Sequence, residues 1–245
     1  MNMIYFFIIF ILSLNAQAEE LKFKNIYFLD KNLEISGLAM GKDREMIFVS
    51  DNNEDQYVYK LKLKDKKTYL TETYLNINDL NNFQEYYYKS LLSFKGGRWL
   101  KSPWDLEGIA RCKDDLYLVN EQVREIIKIN KKKNSLEILN LNMNIAFTEL
   151  GTPLSKIPKN AGFEGVAIDC QNKELYIAQE RNPRAIFIYN LENNQYLGMI
   201  KTDTSKNTQI SPDYSDLFFY NNFLYVIERN EWNILKIDPR KRTLV

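Results

Sequence analysis

The stretch that decides the fold begins Phe163-Glu164-Gly165-Val166-Ala167 and continues through Leu175-Tyr176-Ile177-Ala178-Gln179-Glu180 to Ala185-Ile186-Phe187-Ile188-Tyr189. Each run is short and rich in β-branched and aromatic residues, and polar turn residues separate the runs, which predicts three antiparallel strands. The same pattern recurs elsewhere in the chain, beginning at Ile35-Ser36-Gly37-Leu38-Ala39, at Leu106-Glu107-Gly108-Ile109-Ala110 and, in weaker form, at Tyr214-Ser215-Asp216-Leu217-Phe218. Such self-similarity indicates a repeat architecture.

The repeat predicts an all-β fold, namely a β-propeller of four to five four-stranded blades. A fourth run, such as 135–139, completes each unit, and four antiparallel strands make one blade. Gly37, Gly108 and Gly165 stand at corresponding places in three units, where blades converge on the axis and leave little room for a side chain. A β-sandwich or an open sheet stack is the alternative, but it gives no reason for these repeated glycines.

We expect a single propeller domain at 19–245, interrupted by an insertion at 73–103. Apolar positions at 78–94 recur with helical spacing, so a loop or short helix over one face of the disc is expected. A second insertion at 143–160 carries glycine and proline, which predicts an extended connection. The stretch 21–28 predicts one further strand outside the four units, which could complete a blade and close the ring.

Residues 1–18 have the features of a signal peptide. An apolar run at 3–14 precedes Ala16-Gln17-Ala18, a small-residue cleavage site. The run is short for a membrane span, but no Lys or Arg precedes it, so an uncleaved anchor stays the alternative. We therefore expect a periplasmic or secreted protein with no stable membrane span after signal cleavage.

Composition excludes several kinds of function. The chain has 33 Lys and Arg, 32 Asp and Glu, and a net charge of +1, which offers no electrostatic footprint for nucleic acid. It contains no histidine, so Ser-His-Asp catalysis and histidine phosphoryl transfer are excluded and the commonest zinc ligand is missing. Any catalysis must rest on carboxylates, Lys, Tyr or a hard metal ion. We expect a monomer.

Alignment of the repeats places carboxylates at two levels of the predicted ring. Glu107 and Glu164 precede the inner glycine, and four acids end the second strand, namely Asp51, Glu121, Glu180 and Glu228. Equivalent positions of successive blades surround one axis, so these six acids should converge at one mouth of the channel. Oxygen-only clusters suit Ca²⁺, which is the predicted cofactor. The alternatives are backbone hydrogen bonds for the first level and salt bridges for the second.

Four arginines lie within a few residues of the second-level acids, namely Arg124, Arg181, Arg184 and Arg229. If they face the acidic mouth, a phosphate could be bridged between the metal and a guanidinium, so they are the predicted binding residues for a small phosphorylated ligand. Lys95, Arg98 and Trp99 in the first insertion are further candidates, with a solvent-exposed loop as the alternative.

Two cysteines occupy matching places in adjacent units. Cys112 and Cys170 follow Gly108 and Gly165 at the ends of the inner strands. An exported protein meets an oxidising compartment, so a disulfide is geometrically reasonable, and two free buried thiols are the alternative.

The phrases at 34–39, 105–110 and 160–167 resemble those of the phytase-like family, described as having esterase-like activity of phytase. The resemblance spans most of residues 33–237. The tail at 178–183 also resembles the SdiA-regulated propeller family, which has related repeats. Both resemblances imply a propeller exported across the inner membrane of a bacterium.

The phytase-like resemblance implies calcium-dependent hydrolysis of a phosphoester. Any shared acidic site would map to Glu107, Glu121, Glu164 and Glu180. The chain departs from the pattern in its last unit, where Ser215-Asp216 replaces Glu-Gly, and this puts one ligand position in doubt. Because fold does not decide function, the rival hypothesis is a non-catalytic propeller that binds a protein, a glycan or a surface polymer through its loops.

Overall fold

The computed structural model describes residues 28–29, 33, 35–41, 45–50, 56–63, 68–93, 105–121, 123–157, 161–181, 183–201, 213–230 and 232–245. The expectations for the signal peptide, for the stretch 21–27 and for several single residues lie outside this set, namely Asp51, Lys95, Arg98 and Trp99.

Within the described residues the strands form four sheets, each with four antiparallel strands in sequence order, which are the blades of a propeller. Blade 1 holds β1 (Phe28–Leu29), β2 (Ile35–Met40), β3 (Met46–Ser50), β4 (Tyr57–Leu63) and β5 (Thr68–Asn76). In it, β1 is an additional two-residue strand that pairs in parallel with β5 at the outer edge. Blade 2 holds β6 (Leu106–Cys112), β7 (Asp115–Asn120), β8 (Glu125–Asn130) and β9 (Ser135–Ile138).

The remaining two blades repeat this plan. Blade 3 holds β10 (Phe163–Asp169), β11 (Glu174–Gln179), β12 (Ala185–Asn190) and β13 (Tyr196–Ile200). Blade 4 holds β14 (Tyr214–Tyr220), β15 (Phe223–Glu228), β16 (Asn233–Asp238) and β17 (Thr243–Leu244). The predicted all-β propeller is confirmed, and the part of the chain described here contains four blades.

Apolar cores lie between successive blades because alternate side chains of a strand face opposite sides of its sheet. In β11, Leu175 and Ile177 join the core between blades 2 and 3. Their neighbours Tyr176 and Ala178 join the core between blades 3 and 4. A third core between blades 1 and 2 is built in the same way.

Glycines allow the inner strands of successive blades to touch. A Cβ added to Gly37 would lie 2.7 Å from Gly108 Cα, and a Cβ added to Gly165 would lie 2.7 Å from the Leu217 amide nitrogen. Blade 4 has Asp216 at this place, and its buried carboxylate accepts a hydrogen bond from the N–H of Leu38 in β2. The junction between blades 4 and 1 is therefore made by a side chain where the other junctions use backbone contact.

The insertions carry two helices, α1 (Phe83–Ser93) and α2 (Met143–Leu150). The first lies where helical spacing predicted it. The extended connection expected at 143–160 is wrong, because α2 and a short 3₁₀ turn at Leu154–Lys156 occupy most of it. Gly151 ends α2 with φ of 83°, the left-handed conformation that favours glycine after a helix.

A disulfide joins Cys112 to Cys170, with their Cα atoms 5.7 Å apart. It connects the inner strands of blades 2 and 3 at their C-terminal ends. Among the helices of the described residues, none is long and apolar enough to cross a membrane.

Candidate metal site at one end of the channel

A β-bulge interrupts the inner strand of every blade at the same place. The pairing of β6 with β7 skips Glu107 and the pairing of β10 with β11 skips Glu164. The equivalent positions in blades 1 and 4 are Ser36 and Ser215. A bulge leaves one residue out of the ladder and redirects its side chain. The doublet Glu-Gly in the sequence is thus a bulge residue followed by the glycine that contacts the inner strand of the next blade.

The four bulge residues line one pocket of about 360 Å³ at the end of the channel where the inner strands begin. We call this end the acidic mouth and define it by Ser36, Glu107, Glu164 and Ser215. Asp216 and Arg229 also line the pocket. The pocket is large enough for a small ligand, and its wall combines carboxylates, hydroxyls and one guanidinium with the apolar side chains of Ile35, Leu38 and Ile227.

A second level of side chains comes from the residue that follows the second strand of a blade. The backbone N–H groups of Glu121, Glu180 and Arg229 donate to the carbonyl oxygens of Asp105, Gly162 and Asp213, at 2.9, 3.0 and 3.1 Å. These three hydrogen bonds are equivalent in blades 2, 3 and 4. Arg229 therefore stands at the position that a glutamate occupies in the two preceding blades.

This register corrects the sequence alignment in blade 4. Glu228 pairs with Tyr214 inside the ladder, as Asn120 pairs with Leu106 in blade 2. One residue of slip turns a side chain to the other face of the sheet, so the structure places Glu228 away from the acidic mouth. Its carboxylate accepts a hydrogen bond of 2.6 Å from Arg184, and both side chains are buried. Glu228 and Arg184 thus form a buried ion pair between blades 3 and 4.

Three glutamates of blades 2 and 3 meet at the pocket, whose wall includes one of them, Glu164. Glu121, Glu164 and Glu180 each offer a carboxylate oxygen within 4.8 Å of the other two, and all three residues are buried. We call them the glutamate triad. Two oxygens bound to one Ca²⁺ lie at most about 5 Å apart, because each Ca²⁺–oxygen distance is about 2.4 Å. The triad therefore has the spacing that one cation requires.

A second group of acids adjoins the triad through Glu121. Asp105, Glu107 and Glu121 also have carboxylate oxygens within 4.8 Å of one another. Asp105 immediately precedes β6, and its carbonyl fixes the backbone of Glu121. These additional oxygens can complete the coordination of a cation, since Ca²⁺ takes six to eight.

Burial makes the triad costly to ionise without a cation. Desolvation and the nearby Asp105 raise the pKa of Glu121 to about 7, although the Gly162 N–H, 3.1 Å from its Oε1, opposes the shift. Desolvation and the charges of Glu180 and Glu121 raise the pKa of Glu164 to about 8. Desolvation also raises the pKa of Glu180. A bound divalent cation would relieve this repulsion.

One oxygen of the triad is left unsatisfied. Glu180 Oε1 forms an ion pair with Arg181 Nη1 at 2.6 Å and accepts a hydrogen bond from Arg229 Nη2 at 3.1 Å. Glu180 Oε2 is fully buried and, within the described residues, has no hydrogen-bond partner. A buried polar atom of this kind requires an explanation such as an ion or an ordered water.

Guanidinium groups lie next to the acids of the site. Arg181 also pairs with Asp213 at 3.0 Å, and Asn230 donates to the same carboxylate at 3.0 Å. Arg124 lies near Glu121 and donates to the Ala161 carbonyl at 3.4 Å, and burial lowers its pKa. Of the four predicted arginines, Arg229 lines the pocket, and its side chain is 54% exposed.

The comparison with protein families agrees with the repeat. The model of the phytase-like family, described as "Esterase-like activity of phytase", matches residues 33–243. The chain belongs to the phytase-like family. A search of curated protein sequences finds no match. The similarity to the SdiA-regulated family stays a prediction.

The fold of this phytase-like protein is similar to that of many solved structures. Glutaminyl cyclase from Myxococcus xanthus is 13% identical, with a TM-score of 0.53 over 89% of this chain and 72% of that chain. Virginiamycin B lyase from Staphylococcus aureus, solved with quinupristin, is 11% identical, with a TM-score of 0.49 over 92% of this chain and 59% of that chain. At such identities the likeness concerns the fold alone.

The candidate site of this phytase-like protein thus contains four of the six predicted acids, namely Glu107, Glu121, Glu164 and Glu180. Asp105 and Asp213 were missed. They precede the inner strands of blades 2 and 4, and their carbonyls accept the equivalent hydrogen bonds described above. Each lies two residues before the bulge residue of its blade, and this equal spacing was the signal in the sequence that could have identified them.

Proposed function

We propose that this phytase-like protein is an exported hydrolase of phosphoesters that depends on Ca²⁺ held by the glutamate triad. The observation that carries the proposal is the convergence of three buried glutamates, one with an unsatisfied oxygen and another, Glu164, in the wall of a pocket of ligand size. The family description supports an esterase, and the disulfide supports export.

The residues of the glutamate triad and of the pocket wall can each take a different role in hydrolysis. The triad, with Asp105, would hold the cation, which acidifies a bound water and offsets phosphate charge. Glu107 lines the same pocket and can accept a proton from the attacking water. Arg229, at the rim, can donate to the phosphate oxygens. The water oxygen bonds to phosphorus as one of its protons passes to Glu107. The ester P–O bond breaks, and the leaving alkoxide takes that proton from Glu107 and departs as the alcohol.

The excess of acidic residues at the pocket limits the negative charge that a substrate can carry. The acids Asp105, Glu107, Glu164 and Asp216 outnumber the arginines, and Arg181 and Arg229 are already paired with carboxylates. A polyanion would be repelled more strongly than a monoester. We therefore favour phosphomonoesters and diesters of low charge as substrates.

The first experiment is thermal unfolding in EDTA and then in millimolar Ca²⁺. A ligand that binds only the native state raises the unfolding midpoint, so we expect a rise of several degrees. Glu164→Gln combined with Glu180→Gln should abolish the rise. Glu192→Gln is the control, because Glu192 lies exposed at a hairpin turn of blade 3, paired with Lys173.

Activity is then tested with p-nitrophenyl phosphate and with p-nitrophenyl acetate, each with and without Ca²⁺. Calcium-dependent release from the phosphate ester supports the proposal. A midpoint that does not move in Ca²⁺ refutes the metal site. A protein that binds Ca²⁺ but hydrolyses neither ester is instead a non-catalytic binding propeller. Fractionation of the producing cell tests export separately, and retention in the cytoplasm would contradict it.

A further inference from the structure

A second, apolar pocket of about 350 Å³ lies on blade 4 beside the acidic mouth. Asp216 and Ile227 line both this pocket and the pocket at the acidic mouth, so the two cavities adjoin along these two side chains. We call the second cavity the blade 4 pocket. Apart from Asp216, its wall consists of apolar and aromatic residues, namely Leu217, Phe218, Tyr220, Tyr225, Ile227 and Ile234.

The wall of the blade 4 pocket is exposed at positions that other blades bury. The register of β15 with β14 makes Ile227 equivalent to Val119 of blade 2, which is 0% exposed, whereas Ile227 is 43% exposed. Ile234, which pairs with Ile227, is equivalent to Ile126, and the exposed fractions are 46% and 0%. Exposed apolar side chains that share a concave wall indicate a binding site for an apolar group.

The acid between the two cavities is compatible with an apolar ligand. The carboxylate of Asp216 accepts hydrogen bonds from the backbone N–H groups of Leu38 and Leu217, the second at 2.8 Å. These bonds hold the carboxylate against the backbone of blades 1 and 4. A ligand that passes from one cavity to the other therefore leaves no buried carboxylate without hydrogen bonds.

The end of β15 presents a cationic and an apolar side chain to the same cavity. Ile227 and Arg229 are separated by one residue, and both line the pocket at the acidic mouth. Ile35 and Leu38 of blade 1 extend its apolar side, and each is 39% exposed. Recognition of a phosphate by Arg229 would thus place the neighbouring part of the ligand next to apolar side chains.

We propose that the substrate is a phosphoester of an apolar alcohol, with its phosphate at the acidic mouth and its alkyl or aryl group in the blade 4 pocket. This inference rests on the proposed function, because it assigns the alcohol of the same reaction. The two cavities, of about 360 and 350 Å³, each have the size of a site for a small ligand. Each CH₂ group that the blade 4 pocket removes from water should strengthen binding about threefold.

Alkylphosphonates test the inference without turnover, because they contain no ester bond. Calorimetry in millimolar Ca²⁺ compares hexylphosphonate with methylphosphonate, and we expect the longer ligand to bind more than about tenfold more tightly. Ile234→Asn changes the blade 4 pocket only, and it should remove most of this ratio. Ile145→Asn, at an exposed position of α2, is the matched control and should keep it. Each ratio compares two ligands on one protein, so partial folding of a variant does not alter it.

The outcomes separate this inference from the proposed function. Equal affinities of the wild type for the two phosphonates would overturn the inference and leave the Ca²⁺-dependent hydrolase in place. Binding of both phosphonates that does not require Ca²⁺ would refute the metal-dependent hydrolase, and the inference would fall with it.

Two further measurements identify the natural ester. The ratio of kcat/KM for hexyl phosphate to that for methyl phosphate should exceed about ten and should decrease in Ile234→Asn. Equal values in the wild type would overturn the inference. Sedimentation with vesicles of phosphatidylcholine and phosphatidic acid separates the two sources of such an ester: binding that Ile234→Asn abolishes identifies a membrane lipid, and no binding identifies a soluble ester.

Discussion

Arg229 Nη2 lies 3.1 Å from Glu180 Oε1, although the two side chains occupy equivalent positions in adjacent blades. The last blade thus supplies a cation where the two before it supply a carboxylate. Arg229 lowers the pKa of Glu180 and of Glu164 against the effect of burial. It compensates part of the charge of the triad, and it competes with any metal ion for Glu180.

Removing this guanidinium should strengthen cation binding. We expect Arg229→Gln to bind Ca²⁺ several-fold more tightly than the wild type, as measured by calorimetry, and to bind inorganic phosphate more weakly in the presence of Ca²⁺. Arg240→Gln, at an exposed turn of blade 4, is the control. Weaker Ca²⁺ binding by Arg229→Gln would show that the arginine orients Glu180 instead of competing for it.

The stability of the metal-free protein should fall as the pH rises. Burial raises the pKa of Glu121 to about 7 and those of Glu164 and Asp216 to about 8. A carboxyl whose pKa is higher in the folded state contributes stability that is complete below its unfolded pKa and is lost as pH rises through the folded pKa. In EDTA, the unfolding midpoint should therefore decrease from about pH 5 to about pH 8 and then level off.

Two variants check the origin of this pH dependence. Glu121→Gln with Glu164→Gln removes two of the three groups and should flatten the profile, whereas saturating Ca²⁺ should reverse its sign near pH 8 because the cation binds the ionised triad. A midpoint that rises with pH in EDTA would contradict the assignment of these groups as buried, uncompensated carboxyls.

Gly162 controls the position of Glu121. A Cβ at this residue would lie 2.3 Å from Glu121 Cγ and 2.8 Å from its carbonyl oxygen, closer than such atoms can approach. Gly162→Ala should therefore displace Glu121 and weaken Ca²⁺ binding about tenfold, although it removes no carboxylate. Calorimetry measures the effect, and Gly41→Ala in the first hairpin of blade 1 serves as the matched control. Unchanged affinity would exclude Glu121 from the site.

The Arg184–Glu228 pair should matter for stability and not for cation binding. Glu228→Gln leaves Arg184 buried and without its charged partner, which costs about 3 kcal/mol of the free energy of unfolding. Denaturation in urea measures this loss. The double variant Arg184→Met with Glu228→Leu should recover most of it. Ca²⁺ affinity should not change in either variant, and a decrease would place Glu228 back among the ligands.

The repeat allowed the fold to be predicted because its information is local. Alternating apolar residues in β11 specify two buried faces, and the inner glycines specify close contact between blades. The connection at 143–160 was harder. Its glycine and prolines indicated an extended chain, but Ala146 and Phe147 are buried, which stabilises a helix there through tertiary packing.

The site was predicted in part. Glu107, Glu121, Glu164 and Glu180 could be found because their spacing from the repeat is the same in blades 2 and 3. Glu228 was aligned one residue out of register, since the motif Glu-Arg-Asn recurs at both Glu180 and Glu228 and suggested equivalence. Only the pairing of strands separates the two, and strand pairing depends on contacts between residues distant in sequence.

The bulge repeated in every inner strand affects how the residues of the acidic mouth can evolve. Its residue takes no part in the ladder, so Ser215 can be exchanged for an acid, and Glu107 for a neutral residue, without the loss of a ladder hydrogen bond. Ser36 is more constrained, because its hydroxyl donates to the Leu106 carbonyl of blade 2 at 2.6 Å. Four such positions, one from each blade, surround the same pocket. Ligand preference can therefore evolve one substitution at a time, while the scaffold that presents those side chains stays the same.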